Sequence, residues 1–524
     1  MNAPKNSILL IHPPLAKAAE PPTGITALAG YLRGHGISCA QMDANLEIQL
    51  WLMETAENPQ DTWSTRAHKH RLKNLASLRT TATYSNIDRY QRAVRDCNRV
   101  LELAGAEYPE LSLSLANYED AGFDALDSRD LLGAAASYKQ SLFFPWFRQY
   151  LAPRIEQQTP QWIGLSLCYL SQALPTFALI GFLRATFPHI PLILGGGLVT
   201  SWMSNPQWNN PFAALVDHCI DGPGEKPLLT LLGGAEQQEE LAPDYSGLPL
   251  SDYLAPGLIL PYAASRGCYW NKCSFCPEPA EASRYRPVEV AVVMEHLHGL
   301  CRKMQPALIH LLDNAVTPSL MEALCAQPPG ASWYGFVRFH EQLADPAFCR
   351  QLRASGCVLL KLGLESGSQE VLDAMRKGIR LELVEKVLEA LKQAGIATYV
   401  YLLFGTPTES VTEARQTLAF TKEHHEAITF LNLAIFNMPL GSREADTLKA
   451  QPFSNGNLSL YQDFEHPRGW DRRNIRSFLD REFKRVPEIS AIIQRDPPYF
   501  TSNHAPFFSP HFCLESAPMR VKSC

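Results

Sequence analysis

The chain is 524 residues long, 46% hydrophobic and 19% charged, enough for two to four globular domains with substantial cores. A formal net charge of −6 without a long basic run argues against a nucleic-acid partner, and no apolar run reaches membrane-spanning length. The apolar part of Met1-Asn-Ala-Pro-Lys-Asn-Ser-Ile-Leu-Leu-Ile11 is too short for a secretion signal, so a cytoplasmic protein with reduced thiols is expected.

In chain order, Ser7–Ile11 reads as a buried parallel strand. The Pro-rich loop Pro13–Pro22 follows, then a helix over Thr23–Arg33 and a returning strand over Ile37–Asp43, which together begin a βαβ pattern. Residues 45–158 break the alternation and predict an inserted helical region, clearest over Ile87–Ala104. Its aromatic residues, Trp51, Trp63, Phe143, Phe144, Trp146 and Phe147, read as packing. Strands are next expected at Gln161–Cys168, Ile190–Leu194 and Ala214–Asp221, each running into small residues: Ser166, Gly195-Gly-Gly197 with Thr200, and Gly222-Pro-Gly-Glu225. Small residues at the carboxyl ends of parallel strands let a ligand approach the backbone. Alone, the glycine triplet is equally explained by a tight turn.

A linker over 236–260 leads to Ala264-Ser-Arg-Gly-Cys-Tyr-Trp-Asn-Lys-Cys-Ser-Phe-Cys-Pro-Glu278. Cys268, Cys273 and Cys276 lie within nine residues, and three thiolates on one loop can hold three corners of an iron–sulfur cluster. A structural zinc site completed by a remote Cys or His remains open on spacing alone, as do three unrelated buried thiols. Most of the other cysteines, Cys39, Cys97, Cys168, Cys219, Cys301, Cys325, Cys349 and Cys357, read as small buried hydrophobes. After the loop, strands are expected at Ala307–Leu312, Ser332–Val337, Val358–Gly363, Thr398–Phe404 and Ile428–Asn432, with helices between them, including Pro287–Lys303 and Leu381–Gln393. With a strand leading into the cysteine loop, this makes about six β/α units, a partial barrel whose strand ends would carry the chemistry.

Ile11-His-Pro-Pro14, Thr23-Gly24, Ser166 through Gln172, the Gly195 triplet with Thr200, and Gly222-Pro-Gly-Glu225 together resemble the cobalamin-binding domain. The resemblance covers about residues 5–235, interrupted by the insert, and implies cobalamin contacts from Pro14, Thr23, Gly24, Ser166, Gln172, Gly195, Gly196, Gly197, Thr200, Gly222, Gly224 and Glu225. The Asp-x-His-x-x-Gly motif that supplies an axial histidine elsewhere is missing. His12 and His218 have other settings, so no histidine ligand to cobalt is implied.

The chain as a whole, over about residues 5–445, resembles the cobalamin-dependent branch of the radical SAM superfamily. Gly-Cys-Tyr-Trp-x-x-Cys-x-Phe-Cys matches a form of its cluster loop. Leu362-Gly-Leu-Glu-Ser-Gly-Ser368 is similar to the strand whose glutamate faces the SAM ribose, and Leu403-Phe-Gly-Thr-Pro407 to the strand end beside the adenine. Leu312-Asp-Asn314 is a looser match to the segment that binds the SAM amine.

The implied fold is α/β: a Rossmann-like cobalamin-binding domain (1–235, helical insert 45–158), the linker, a partial (β/α)6 radical SAM barrel (261–445) and a small C-terminal region (446–524). The implied cofactors are a 4Fe–4S cluster on Cys268, Cys273 and Cys276, S-adenosyl-L-methionine (SAM) on its fourth iron, and cobalamin. The implied SAM contacts are Phe275, Asp313, Asn314, Arg338, Glu365, Ser366 and Gly405. Plainer roles compete at three of them: a strand-end salt bridge for Glu365, a helix N-cap for Asp313 and an ordinary ion pair for Arg338.

The implied activity is methylation of an unactivated carbon through a 5′-deoxyadenosyl radical and methylcobalamin. The alternatives are a cyclase, oxidase or rearrangement enzyme without methyl transfer, or a corrinoid- or cluster-binding sensor or delivery protein. A small-molecule or peptide substrate and an electron donor such as flavodoxin or ferredoxin are the expected partners. Tyr499, Asn503 and His504 are candidate substrate contacts in a terminal region that would otherwise simply cover one end of the barrel; Cys513 and Cys524 read as part of a frayed tail.

Overall fold

The fold is that of a computed structural model, which describes residues 7–57, 59, 61–237, 240–281, 283–446, 448–452, 456–499 and 504–509. Asn503, Cys513 and Cys524 lie outside the described residues. Among those described, no helix is long and apolar enough to cross a membrane.

Strand β1 (Ser7–His12) is buried along its whole length, as a central strand covered on both faces must be. It pairs in parallel with β2 (Ser38–Asp43) on one side and β3 (Trp162–Ser166) on the other. β4 (Leu192–Gly195) and β5 (His218–Cys219) extend the sheet to the order β2-β1-β3-β4-β5. The strand order reverses between β1 and β3, and doubly wound sheets bind ligands in the crevice at such a point. β5 is only two residues long, against the eight expected at Ala214–Asp221.

Between β2 and β3 the chain runs through helices from Ala44–Thr55 to Ala152–Gln158, with a small ribbon, Leu111–Leu113 against Tyr118–Asp120. Its longest helix, Ile87–Ala104, buries Tyr90, Val94, Cys97, Val100 and Leu101 on one face. Phe143, Trp146 and Phe147 fill the same core. Trp63 departs from the packing expectation: it is 43% exposed, and its indole donates to Asp96.

The second sheet is six-stranded, parallel and in sequence order: β6 (Ile259–Tyr262), β7 (Leu308–Leu311), β8 (Ser332–Val337), β9 (Cys357–Glu365), β10 (Ala397–Phe404) and β11 (Phe430–Ile435). Alternation sorts its side chains. Ile309, Trp333, Leu360, Leu362 and Val400 pack outward on the helices, whereas Leu308, Tyr334, Leu359, Tyr399 and Phe430 pack inside the curved sheet. Ala505 and Phe508 join this inner cluster at the amino ends of the strands, so the terminal segment closes that end.

The helix expected from Pro287 starts at Val290, because Arg286–Pro287 pairs antiparallel with Ser265–Arg266. The C-terminal region holds a three-stranded antiparallel sheet, Met438–Pro439, Tyr461–Phe464 and Ala450–Pro452, where the sequence showed no strand pattern.

Candidate functional site

The cysteine loop is held over the carboxyl ends of β8 and β9. Gly267 enters it with φ +71°, and a Cβ there would lie 2.9 Å from the carbonyl oxygen of Arg284, so the turn requires glycine. The Trp270 indole donates to the carbonyl of Arg376 (3.0 Å), and Arg338 lies over its ring at 4.4 Å. Ser274 N–H donates to the carbonyl of Met375 (3.0 Å).

Cys268, Cys273 and Cys276 are all free thiols. Burial, with the neighbouring sulfurs, pushes Cys276 up to about 12. Ligation would therefore displace protons. Cationic side chains stand beside Cys273: Arg338 donates to its Sγ (3.8 Å), and Lys377 favours its thiolate. Among the described residues, no three His, Cys, Asp or Glu side chains are placed to hold one metal ion. A cluster instead offers each thiolate its own iron. Three soft donors under two cations fit that anionic group.

The residues implied for SAM gather around this loop in different ways. Glu365 ends β9 with φ +70° and pairs with Lys377 at 2.8 Å. Phe275 lies under that ammonium, 5.4 Å from its ring. Asn314 donates to Glu278 Oε1 (2.7 Å) beside the last cysteine. Asp313 does not cap a helix; its carboxylate accepts from Ala264 N–H and Ser265 Oγ, tying down the strand that leads into the loop. Arg338 donates to the carbonyl of Lys377 and has no carboxylate partner among the described residues. Ser366 is fully buried against Thr417 (3.2 Å). Gly405 has φ +85°, and a Cβ there would meet Ile475 Cδ1, because the helix Arg472–Arg481 packs on that strand end. Lys377 belongs to this assembly and was missed in the sequence, and Trp270, part of the cluster-loop motif, was given no role of its own there. The sequence signal for them is Gly378, whose positive φ (+67°) turns the chain so that Trp270 can lie against it.

A cavity of ≈ 1640 Å³ separates the first sheet from the cysteine loop. One wall is Thr23, Gly24, Ser166, Gly195–Gly197, Thr200, Gly222, Gly224 and Glu225, the set implied for cobalamin apart from Pro14 and Gln172. The opposite wall is Ser265, Arg266, Gly267, Pro277 and Glu278. The volume exceeds the roughly 300–1,000 Å³ of ordinary small-molecule sites. A Cβ at Gly222 would meet no atom within 4 Å, and one at Gly197 nothing nearer than 3.9 Å, so these glycines leave open a cradle that side chains would fill. Glu225 is engaged by Arg266 across the cavity. Gln172 is fully buried, donating to the carbonyl of Pro13 and accepting from the amides of Cys168 and Tyr169. Neither His12 nor His218 lines the cavity. Tyr499 packs into the core of the first sheet and its insert, accepting from Ala18 N–H (2.9 Å), and His504 stacks on Tyr399 at the closed end of the barrel.

Residues 262–421 match the radical SAM superfamily. The barrel and its cysteine loop are a radical SAM domain. That domain carries the cavity's second wall, and the comparisons extend beyond it. The chain is 28% identical over 194 residues to an uncharacterized methyltransferase of Pyrococcus horikoshii, covering 34% of this chain and 40% of that one. The chain spans about two-fifths of the length of the curated relatives it matches. In three dimensions it is similar to TsrM from Kitasatospora setae, a radical S-adenosylmethionine methyltransferase solved with tryptophan substrate and the SAM analogue aza-SAM. The TM-score is 0.56 at 15% identity, over 93% of this chain and 89% of TsrM. It is also similar to OxsB, a cobalamin-dependent S-adenosylmethionine radical enzyme solved with aqua-cobalamin, with a TM-score of 0.55 at 12% identity over 91% and 67% of the two chains. The chain therefore has the two-part fold of cobalamin-dependent radical SAM enzymes.

Proposed function

We propose that this chain is a cobalamin-dependent radical SAM enzyme that methylates an unactivated carbon of a small-molecule or peptide substrate in the cytoplasm, with a flavodoxin or ferredoxin as electron donor. The observation that carries this reading is the shared cavity: the glycine-lined strand ends of residues 1–235 face the cysteine loop of residues 261–445 across one space. A corrinoid seated on Thr23, Gly24, Gly195–Gly197, Thr200 and Gly222 would be adjacent to the cluster held by Cys268, Cys273 and Cys276. When bound, the cluster and SAM supply a hydrogen-abstracting adenosyl radical, and the corrinoid supplies the methyl group.

The protein's part is binding and orientation. Arg338 and Lys377 set a positive field at Cys273. Glu365 presents a carboxylate for the ribose hydroxyls, and Gly405 follows β10 at the strand end that would lie beside the adenine. Asp313 fixes the strand that enters the loop. Pairing of SAM, a cluster and a corrinoid in one space is not what a sensor or delivery protein needs.

The test is anaerobic reconstitution with iron, sulfide and hydroxocobalamin, followed by SAM carrying a trideuterated methyl group and a strong reductant. Retained corrinoid, label on that corrinoid, S-adenosylhomocysteine and 5′-deoxyadenosine together are the expected result. Deoxyadenosine with no S-adenosylhomocysteine and no label on a retained corrinoid would overturn methyl transfer in favour of a radical enzyme of another outcome.

A further inference from the structure

Inside the barrel, on the amino-terminal side of Glu365, side chains from two distant parts of the chain form a buried line. Glu20, on the loop after β1, lies 2.9 and 3.0 Å by its two oxygens from Nδ1 of His310, and His310 Nε2 lies 2.9 Å from Lys361 Nζ. His310 and Lys361 are 4% and 6% exposed. An ammonium has donors only, so Nε2 accepts from Lys361, the ring proton sits on Nδ1, and Glu20 receives it. Burial keeps the imidazole neutral, with its pKa lowered to about 4, and draws Lys361 down to about 8, still largely charged at neutral pH.

This line is incomplete. Lys361 spends one N–H on His310, and its other donors meet no acceptor among the described residues. Tyr334 stacks on His310 with ring centroids 4.3 Å apart and is fully buried, yet its hydroxyl has no hydrogen-bond partner among the described residues. Leaving buried donors unpaired costs free energy, which a hydrogen-bond-accepting ligand would recover.

Toward Glu365 the side chains lining the barrel are less completely buried. Phe336, Tyr401 and Asn432 are partly accessible, and the Glu20 side chain keeps 19% of its surface. The rings of Phe336 and Tyr401 are 4.7 Å apart, and Lys361 Nζ is 5.4 Å from that of Phe336. Lys361 and Glu365 are four residues apart on β9, about 13 Å of strand, the reach of a small organic molecule.

We propose that the Lys361 ammonium and the Tyr334 hydroxyl form the subsite for a substrate carboxylate, with Phe336 and Tyr401 flanking an apolar or aromatic body. Glu20 answers one of the two ammoniums near it, Lys17 and Lys361, so a substrate carboxylate would supply the second negative charge, and its two oxygens answer two donor groups. Glu20 and His310 are positioning residues: they fix the imidazole tautomer and, through it, the lysine. This subsite deepens the methylase reading, since it presumes that substrate enters the barrel beneath SAM.

The test uses full-length, cluster-reconstituted protein and two probes of equal shape, 3-phenylpropionate and 3-phenylpropionamide, in calorimetric titrations. The acid is expected to bind about tenfold or more tightly than the amide. Lys361→Met should erase that preference, leaving the amide unchanged. Tyr334→Phe removes one oxygen and keeps the ring stack; it should weaken the acid severalfold in a protein that remains folded. Equal binding of acid and amide, or a preference that survives both substitutions, would overturn the subsite. Deoxyadenosine formation is followed in the same preparations: carboxylate preference absent with SAM cleavage intact sinks the subsite alone, whereas wild-type protein that prefers the acid but never cleaves SAM keeps the subsite and sinks the enzyme reading.

Discussion

The carboxylate of Glu365 and the ammonium of Lys377 stand 2.8 Å apart beneath the cysteine loop, with side chains only 12% and 7% exposed. Gly363 makes room for them, since a Cβ there would lie 2.5 Å from Glu365 Oε1 and 2.7 Å from Lys377 Nζ. The pair also restrains Glu365 in its left-handed backbone conformation (φ +70°), a strain of about 1–3 kcal/mol for a side-chain-bearing residue.

Lys377→Met would leave that carboxylate buried and unpaired. Breaking one partner of a buried ion pair costs about 3–5 kcal/mol. Chemical denaturation should show that loss, and Glu365→Gln added to Lys377→Met should restore part of it. An unfolding midpoint indistinguishable from wild type would show that the pair is not held in the folded protein.

Gly197→Phe tests the cavity. Gly197 is the first residue of a helix, its φ is not left-handed, and a Cβ there has open space, so the ring would enter the cavity without straining the backbone. The expected variant folds, keeps iron and sulfide at wild-type stoichiometry, and loses retained cobalamin by tenfold or more, roughly the effect of losing about 1.4 kcal/mol of binding. Equal corrinoid retention by both proteins would place the corrinoid elsewhere.

Arg338→Met removes a positive charge that donates to Cys273 Sγ. A cation beside a cluster favours its reduced, more negative form. The reduction potential should therefore become more negative in an anaerobic redox titration followed by electron paramagnetic resonance. A potential unmoved or raised would show that Arg338 does not act on the cluster.

Glu409 gives a pH signature. It is fully buried, accepting from Gly405 N–H and the Trp470 indole, and burial pushes its carboxyl up to about 7. The folded state thus binds a proton that the unfolded chain releases near pH 4.5, so this group's contribution to stability falls as pH rises from about 4.5 to about 7. Glu409→Gln stays neutral. Its stability relative to wild type should rise across that window by up to about 3 kcal/mol and level off above it. A difference independent of pH would mean that Glu409 titrates normally.

The six barrel strands were legible because each is an apolar run ending in a polar or Gly-rich turn. The cysteine loop was legible because its spacing is local. What was not legible depends on contacts between distant residues. Glu20 and His310 are separated by 290 positions, and nothing in the Pro-rich loop after β1 announces that it reaches into the barrel. Lys377 reaches Glu365 only because Gly378 turns the loop back against Trp270. Pro287 suited a helix start by local rule, but pairing of Arg286–Pro287 with Ser265–Arg266 displaced that start to Val290. The small sheet around Tyr461–Phe464 has strands too short for a period-2 signal.

The most direct measurement is 5′-deoxyadenosine formed per chain by the anaerobically reconstituted protein with SAM and a strong reductant, beside the Cys268→Ala, Cys273→Ala, Cys276→Ala triple variant. The expected result is deoxyadenosine from the wild type and none above background from the variant. Zinc in place of iron, with no SAM cleavage after repeated reconstitution, would contradict the assignment of this chain as a radical SAM enzyme.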